Sequence, residues 1–138
     1  MGGLCNATVY PQPAYTRQMG GAPMTTKEQP MMELSRQTCG HIPEGTPAFT
    51  NEEVGQHLAR LPGWAVERGK LTKTFSFANH YESGAFANAV VWISHRQDHH
   101  PDINLGYSKV TVSYSTHTVN GLSVNDFICA ARVEALFT

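Results

Sequence analysis

The hydrophobic pattern of this chain constrains its fold more than any other feature. Stretches with helical periodicity and stretches with strand periodicity follow one another in a fixed order. From residue 50 onward, apolar residues recur in three stretches at helical spacing and in four short segments that alternate apolar with polar positions. The resulting order is α-β-β-α-β-β-α. Two hairpins interleaved with helices predict an α+β fold, in which a four-stranded antiparallel sheet has its helices packed on one face.

Each predicted helix has a start signal and an apolar stripe. Thr50 with Glu53 forms a capping-box pattern before the first helix, Asn79 caps the second, and Ser123 caps the third. The three stripes are Val54, Leu58 and Leu61; Phe86, Ala89, Val90 and Ile93; and Val124, Phe127, Ile128, Ala131 and Ala135. We expect Trp64 and Trp92 to be core aromatics and Cys129 to be a small buried hydrophobe.

The strands are predicted as two hairpins with one buried face each. A turn at Arg68-Gly69 separates the first two strands, and a turn near Ser108 separates the last two. The inward positions are Trp64, Val66, Leu71, Phe75 and Phe77 in the first hairpin and Ile103, Leu105, Val110, Val112 and Tyr114 in the second.

Composition excludes several classes of partner. The chain has 10 Lys and Arg against 11 Asp and Glu, so its formal net charge of -1 provides no overall attraction to nucleic acid or to an anionic membrane. Cys5, Cys39 and Cys129 are far apart in sequence and form no CxxC pair, which favours a reducing compartment. No stretch resembles a membrane span or a secretory signal. These features predict a cytoplasmic protein.

The 138 residues are typical of a single domain with an appended segment. Residues 1–31 contain four prolines and no sustained periodicity, so we expect an extension without a packed core. Residues 32–138 are predicted to form one domain. A transit peptide is an alternative interpretation of the extension, although Arg17 and Lys27 are few for such a signal. A natural start at Met31 or Met32 is another.

Histidines dominate the candidate chemistry, since five of the seven lie between His80 and His117. His99 and His100 stand where the central helix ends before Pro101, which forces an extended backbone on His100. We expect His117 to end the fourth strand on its polar face and to lie opposite that helix end. Three converging imidazoles would be suited to acid-base catalysis, because their pKa of about 6.5 lies near neutral pH.

Two other interpretations of this cluster stay open. The histidines could be surface residues at an element boundary, without a shared role. Alternatively, His95 and His99 are four residues apart on a helix and could contribute to a zinc site. The absence of a nearby cysteine, or of a glutamate within that helical pair, argues against zinc.

The wider spacing around these histidines is more specific than the cluster itself. Asp98-His99-His100-Pro101 is followed by Tyr107, by Ser115-Thr116-His117, by Gly121-Leu122-Ser123 and by Asp126. The pattern HHP-x5-Y-x9-H-x8-D, together with Leu61-Pro62-Gly63-Trp64 upstream, resembles the pterin-4a-carbinolamine dehydratase family. The similarity extends from about Leu34 to Val133.

This resemblance implies a hydro-lyase that removes water from 4a-hydroxytetrahydropterin, the product of aromatic amino acid hydroxylases, to give quinonoid dihydropterin during tetrahydrobiopterin recycling. It implies no metal and no cofactor. The positions that match the family's catalytic histidines are His99, His100 and His117. We expect His100 and His117 to transfer protons and His99 chiefly to orient the pterin. The positions that match substrate contacts are Asp98, Pro101, Thr116, Thr118 and Val119.

Two further residues are candidates for supporting roles. His95 stands where many members of the family have glutamate, which would lower the pH optimum because an imidazole does not stabilise a neighbouring imidazolium. Asp126 is expected chiefly to cap the last helix. The family resemblance also implies a homodimer or homotetramer. A non-catalytic binding role, of the kind exerted by a transcription-factor dimerisation cofactor, is the alternative function.

Overall fold

The structure is a computed structural model, and it describes residues 23, 26 and 28–138. Within these residues, the four α-helices are α1 (Gln29–Ser35), α2 (Asn51–Leu58), α3 (His80–Gln97) and α4 (Val124–Glu134). The four strands of this described part are β1 (Ala65–Glu67), β2 (Lys70–Ser76), β3 (Asp102–Leu105) and β4 (Lys109–Tyr114). Two short 3₁₀ helices, His117–Val119 and Ala135–Phe137, flank α4. Within the described part of the chain, no helix is both long and apolar enough to cross a bilayer.

The strands form one antiparallel sheet in the order β1-β2-β4-β3. Leu71 pairs with Tyr114 and Phe75 with Val110, so their buried side chains share the face that packs against the helices. The opposite face is polar, with a Thr74–Thr111 hydroxyl contact of 2.8 Å across two strands. This asymmetry confirms the predicted α+β fold with its helices on one face.

The local signals identified in the sequence act as expected. Thr50 and Glu53 form a complete capping box at α2, and the Asn79 side chain accepts a hydrogen bond from the Glu82 N–H at α3. Arg68 and Gly69 both have positive φ in the tight turn between β1 and β2. The hairpins and the helix starts are therefore encoded locally.

Helix α1 is an element that the periodicity did not predict. It begins at Gln29, before the boundary expected after residue 31, and it packs against α4 through buried Met31 and Leu34. Seven residues with a proline at the start are too few to display an amphipathic stripe. The expectation of an extension over residues 1–22 lies outside the described residues.

Two expectations for individual side chains are wrong. Trp64 is buried, but Trp92 is 63% exposed, because α3 turns Phe86 and Val90 toward the sheet and Trp92 lies about 200° around the helix from Val90. His117 is not the end of a strand. Strand β4 ends at Tyr114, and His117 begins a 3₁₀ helix.

Candidate functional site

The end of α3 directs two adjacent histidines to different surroundings. Asp98 caps the helix in the left-handed conformation, with φ 49° and ψ 41°, which aspartate tolerates better than most residues. After this reversal the His99 N–H donates to the Ser94 carbonyl at 3.3 Å. The His99 side chain is only 12% exposed, whereas His100 is exposed. The two adjacent histidines therefore differ in exposure, while the predicted difference in their direction stays a prediction.

A buried carboxylate holds His99. Its Nε2 lies 2.6 Å from Oδ1 of Asp126, which is fully buried. The other carboxylate oxygen, Oδ2, accepts hydrogen bonds from the Ser123 N–H at 2.9 Å and from the Thr116 hydroxyl at 2.8 Å. Asp126 thus caps α4 as predicted, and it also contacts the candidate catalytic residue. The His99 ring stacks on Tyr114, with centroids 5.9 Å apart and planes 10° from parallel.

The electrostatics of His99 favour its cation. Burial lowers the pKa of the imidazole, but the hydrogen bond to Asp126 and the charge of that carboxylate outweigh burial, so the net pKa is raised above its usual value. His99 is therefore more protonated near neutral pH than a free histidine. Such a group is suited to donating a proton to a leaving oxygen.

A cavity of about 320 Å³ opens beside His99, within the size range of small-molecule sites. Its lining residues are Cys39, Gly40, His41, Ile42, Gln97, Asp98, His99, Thr116, Thr118 and Asn125. Four of the sequence-predicted site residues therefore share this cavity: Asp98, His99, Thr116 and Thr118.

The segment from Cys39 to Ile42 is the part of the cavity that sequence reasoning missed. It lies in an irregular stretch between α1 and α2, where no periodicity indicates what the side chains face. Gln97 and Asn125 were missed for a different reason. Polar residues at helix ends usually face water, whereas here both are buried and bond to residues 39 and 40.

His117 lies on a neighbouring surface. It lines a concavity of about 280 Å³ together with Arg68, Lys70 and Asn120, and Thr116 lines this concavity as well as the His99 cavity. The His99 cavity and the His117 concavity therefore adjoin at Thr116. Val119, also predicted to contact substrate, lies half-buried in the same 3₁₀ helix.

His100 and Pro101 line a third concavity, which has a volume of about 250 Å³ and is also lined by His95. The His95 ring packs on Trp92 with centroids 5.3 Å apart. His99, His100 and His117 thus line three different concavities, of which those of His99 and His117 share Thr116. The expected convergence of the three imidazoles on one site stays a prediction.

His95 and His99 do not combine into a metal site. Among the described residues, no three His, Cys, Asp or Glu side chains are grouped so that they could hold a metal ion. The two histidines that the zinc interpretation paired instead contact Trp92 and Asp126, respectively.

Comparison with known proteins gives a consistent result. A family model described as "Pterin 4 alpha carbinolamine dehydratase" matches residues 47–136. A protein of Nitrosospira multiformis named "Putative pterin-4-alpha-carbinolamine dehydratase" is 48% identical over 105 residues, covering 76% of this chain and 93% of its own length. A protein of the same name from Xanthomonas campestris pv. campestris is 56% identical over 86 residues, covering 61% and 73% respectively.

A solved structure extends the similarity to three dimensions. It is the crystal structure of a "transcriptional coactivator/pterin dehydratase" from Brucella melitensis, with a TM-score of 0.61 and 27% sequence identity. The match covers 64% of this chain and 97% of the Brucella chain. The fold of this chain is therefore similar to that of the Brucella protein over the matched part.

Proposed function

Since this chain belongs to the pterin 4 alpha carbinolamine dehydratase family, we propose that it eliminates water from a 4a-hydroxytetrahydropterin to give quinonoid dihydropterin. The observation that carries this proposal is the His99–Asp126 contact of 2.6 Å beside a cavity of small-molecule size. The reaction we propose is that of a hydro-lyase acting in tetrahydrobiopterin recycling.

The proposed reaction needs one proton delivered and one removed. The bond from C4a to its hydroxyl oxygen breaks as that oxygen gains a proton and leaves as water. The proton on N5 is lost, and the electron pair of the N5–H bond stays on the nitrogen side to form the C4a=N5 double bond. No oxidant or reductant enters this balance, and we propose no metal or cofactor.

We assign proton delivery to His99, because Asp126 stabilises the imidazolium that donates. This revises the expectation that His99 chiefly orients the pterin. We keep His117 as the candidate that accepts the N5 proton, since its concavity adjoins the His99 cavity at Thr116. The proposed roles of His100, Pro101 and Val119 rest on the family resemblance. His95 has a proposed supporting role only through its proximity to His100.

We also propose that the protein is a homodimer or homotetramer. The outer surface of α3 exposes Val91 at 55% and Trp92 at 63%, and β1 and β3 are the edge strands of the sheet within the part of the chain that the structure describes. Association of copies would cover these apolar side chains. Light scattering coupled to gel filtration should give two or four times 15.2 kDa at micromolar concentration, and a 15.2 kDa species alone would contradict this proposal.

A cytoplasmic location is proposed on the basis of the unpaired cysteines. Cys39 and Cys129 are both free thiols although they lie within contact distance of each other. Such a pair persists in a compartment that keeps thiols reduced.

The activity can be tested directly. An aromatic amino acid hydroxylase generates the 4a-carbinolamine, and its decay is followed by absorbance with and without this protein. We expect acceleration by the wild type and by His80→Ala, since His80 is exposed at the start of α3. His99→Ala should lose the acceleration. Absence of acceleration by the wild type would overturn the proposed function. Retention of full activity by His99→Ala would overturn the assignment of the acid and leave open a binding role for that side chain.

A further inference from the structure

Two cysteines that are 90 residues apart in sequence meet beside the His99 cavity. The Sγ atoms of Cys39 and Cys129 lie 3.5 Å apart, and both thiols are free. Cys129 is fully buried in α4, whereas Cys39 is half-buried and lines the cavity. The sequence alone gave no sign of this pair, because neither cysteine belongs to a CxxC motif.

Several hydrogen bonds fix the segment that carries Cys39. The Cys39 N–H donates to Oε1 of Gln97 at 2.9 Å. The Asn125 side chain accepts from the Gly40 N–H at 3.2 Å and donates to the Gly40 carbonyl at 2.8 Å. Asn125 precedes Cys129 by one helical turn, so the same face of α4 anchors the backbone and presents the second thiol. The hydrogen bonds that link Gln97 and Asn125 to residues 39 and 40 thus hold the two sulfurs close together.

The two thiols are chemically unequal. The hydrogen bond between the sulfurs lowers the pKa of Cys39, with further lowering by the positive charges of His99 and Arg132, while burial opposes these effects. The same hydrogen bond and burial raise the pKa of Cys129. Arg132 is held near Cys39 by its hydrogen bonds to the Gln37 carbonyl at 2.6 and 3.1 Å. Cys39 lines the cavity whereas Cys129 is fully buried, so Cys39 is the candidate nucleophile and Cys129 its candidate resolving partner.

We propose that Cys39 and Cys129 form a site of reversible oxidation, at which a hydroperoxide converts the two thiols into a disulfide beside the His99 cavity. The Cys39 thiolate attacks the peroxide, forming an S–O bond as the O–O bond breaks and an alcohol or water leaves. Cys129 then loses its proton and attacks the Cys39 sulfur. An S–S bond forms, the S–O bond breaks, and the oxygen leaves as water. The two sulfurs together lose two electrons, which the peroxide gains.

Oxidation must change the wall of the cavity. A disulfide requires a sulfur–sulfur distance of about 2.05 Å, so the two thiols have to approach one another from 3.5 Å. Cys39 and His99 line the same cavity, and the backbone of residues 39 and 40 is bonded to Gln97 and Asn125. The movement is therefore transmitted to the surroundings of His99. This inference does not depend on the proposed dehydratase activity.

The test uses the full chain with Cys5→Ser, which leaves only the proposed pair. The reduced protein is treated with stoichiometric hydrogen peroxide, free thiols are alkylated, and peptides are analysed by mass spectrometry without reduction. We expect a linked peptide containing Cys39 and Cys129 that is 2 Da lighter than the two reduced peptides together and that disappears on treatment with dithiothreitol. NMR of the His99 imidazole should show a shift on oxidation that the reductant reverses.

Matched variants separate the roles of the two sulfurs. In Cys129→Ala, Cys39 should accumulate sulfenic acid that dimedone traps, whereas in Cys39→Ala the remaining Cys129 should stay unmodified. Circular dichroism shows whether each variant is folded before treatment. The proposal is overturned if the linked peptide is absent from folded Cys5→Ser protein, or if Cys129 reacts as readily as Cys39. An unchanged His99 signal on complete disulfide formation would overturn the link to the cavity.

Discussion

His99 Nε2 lies 2.6 Å from Asp126 Oδ1, and this contact joins the residue that follows the cap of α3 to the first turn of α4. The carboxylate that caps a helix also holds the candidate proton donor. Ser123 and Thr116 saturate its second oxygen, so the carboxylate has little freedom to turn away. The Asp126 carboxylate therefore holds His99 in place and favours its protonated form.

Asp126→Asn should lower the pKa of His99. The amide removes the negative charge that stabilises the imidazolium, while the effect of burial remains. An NMR titration of the imidazole carbon-bound protons measures this pKa directly in both proteins. We also expect the rate of dehydration to fall by roughly 10²-fold, at the lower end of what a positioned acid contributes. An unchanged pKa would show that the contact does not control the charge of His99.

The three histidines should contribute unequally to dehydration. His99→Ala is expected to reduce kcat by roughly 10² to 10⁴-fold, because it removes the proposed acid. His117→Ala should cause a smaller reduction, since its concavity only adjoins the cavity at Thr116. Steady-state kinetics of the matched alanine variants, with His80→Ala as a control, rank the contributions. A larger loss for His100→Ala than for His99→Ala would favour the roles inferred from the family resemblance.

Stability should decrease as His99 loses its proton. Its pKa is raised on folding above the reference value of 6.5, so its contribution is complete below pH 6.5 and is lost as pH rises through the folded-state pKa. Urea unfolding between pH 5 and 8 measures the free energy of unfolding in wild type and Asp126→Asn. The difference between the two curves should shrink toward alkaline pH. A difference that grows over this range would contradict the sign of the pKa shift.

Gly121→Ala should destabilise the fold by about 1–3 kcal/mol. A Cβ at this position would lie 2.8 Å from the Ala48 Cβ, and neither group can rotate away. Gly121 also pairs with Thr116, so a backbone shift would reach the His99 cavity. Gly55→Ala is the matched control, because a Cβ there has no neighbour within 4 Å and should stabilise exposed α2 by about 0.5–1 kcal/mol. Equal effects of the two substitutions would refute the packing argument.

Glu134→Ala should cost about 1–3 kcal/mol, because it leaves the Trp64 indole N–H without its acceptor and removes the carboxylate partner of Lys73. Glu134 Oε1 accepts from the Trp64 indole N–H at 2.8 Å and from the Lys73 ammonium at 2.5 Å. Glu134→Gln keeps a carbonyl oxygen for Trp64 and should cost less. Chemical denaturation followed by tryptophan fluorescence compares the two variants. Identical losses would mean that the hydrogen bond to Trp64 adds nothing to the free energy of unfolding.

Local signals were sufficient to predict most of the sheet and three of its helices. The Thr50–Glu53 capping box, the Arg68-Gly69 turn and the alternation of β4 depend on residues close together in the chain, so their physical cause is present in the sequence. Helix α1 escaped prediction because its stability comes from packing against α4, which lies almost 90 residues later.

The sequence by itself determined the order of the helices and strands from residue 50 onward, the apolar face of the sheet and the family to which the chain belongs. Only the tertiary structure decided that Asp126 holds His99, that His100 and His117 line other surfaces, and that Cys39 meets Cys129. Periodicity reports which side of its own element a residue faces. It does not report which distant residue lies opposite, because that depends on how packed elements are placed relative to one another.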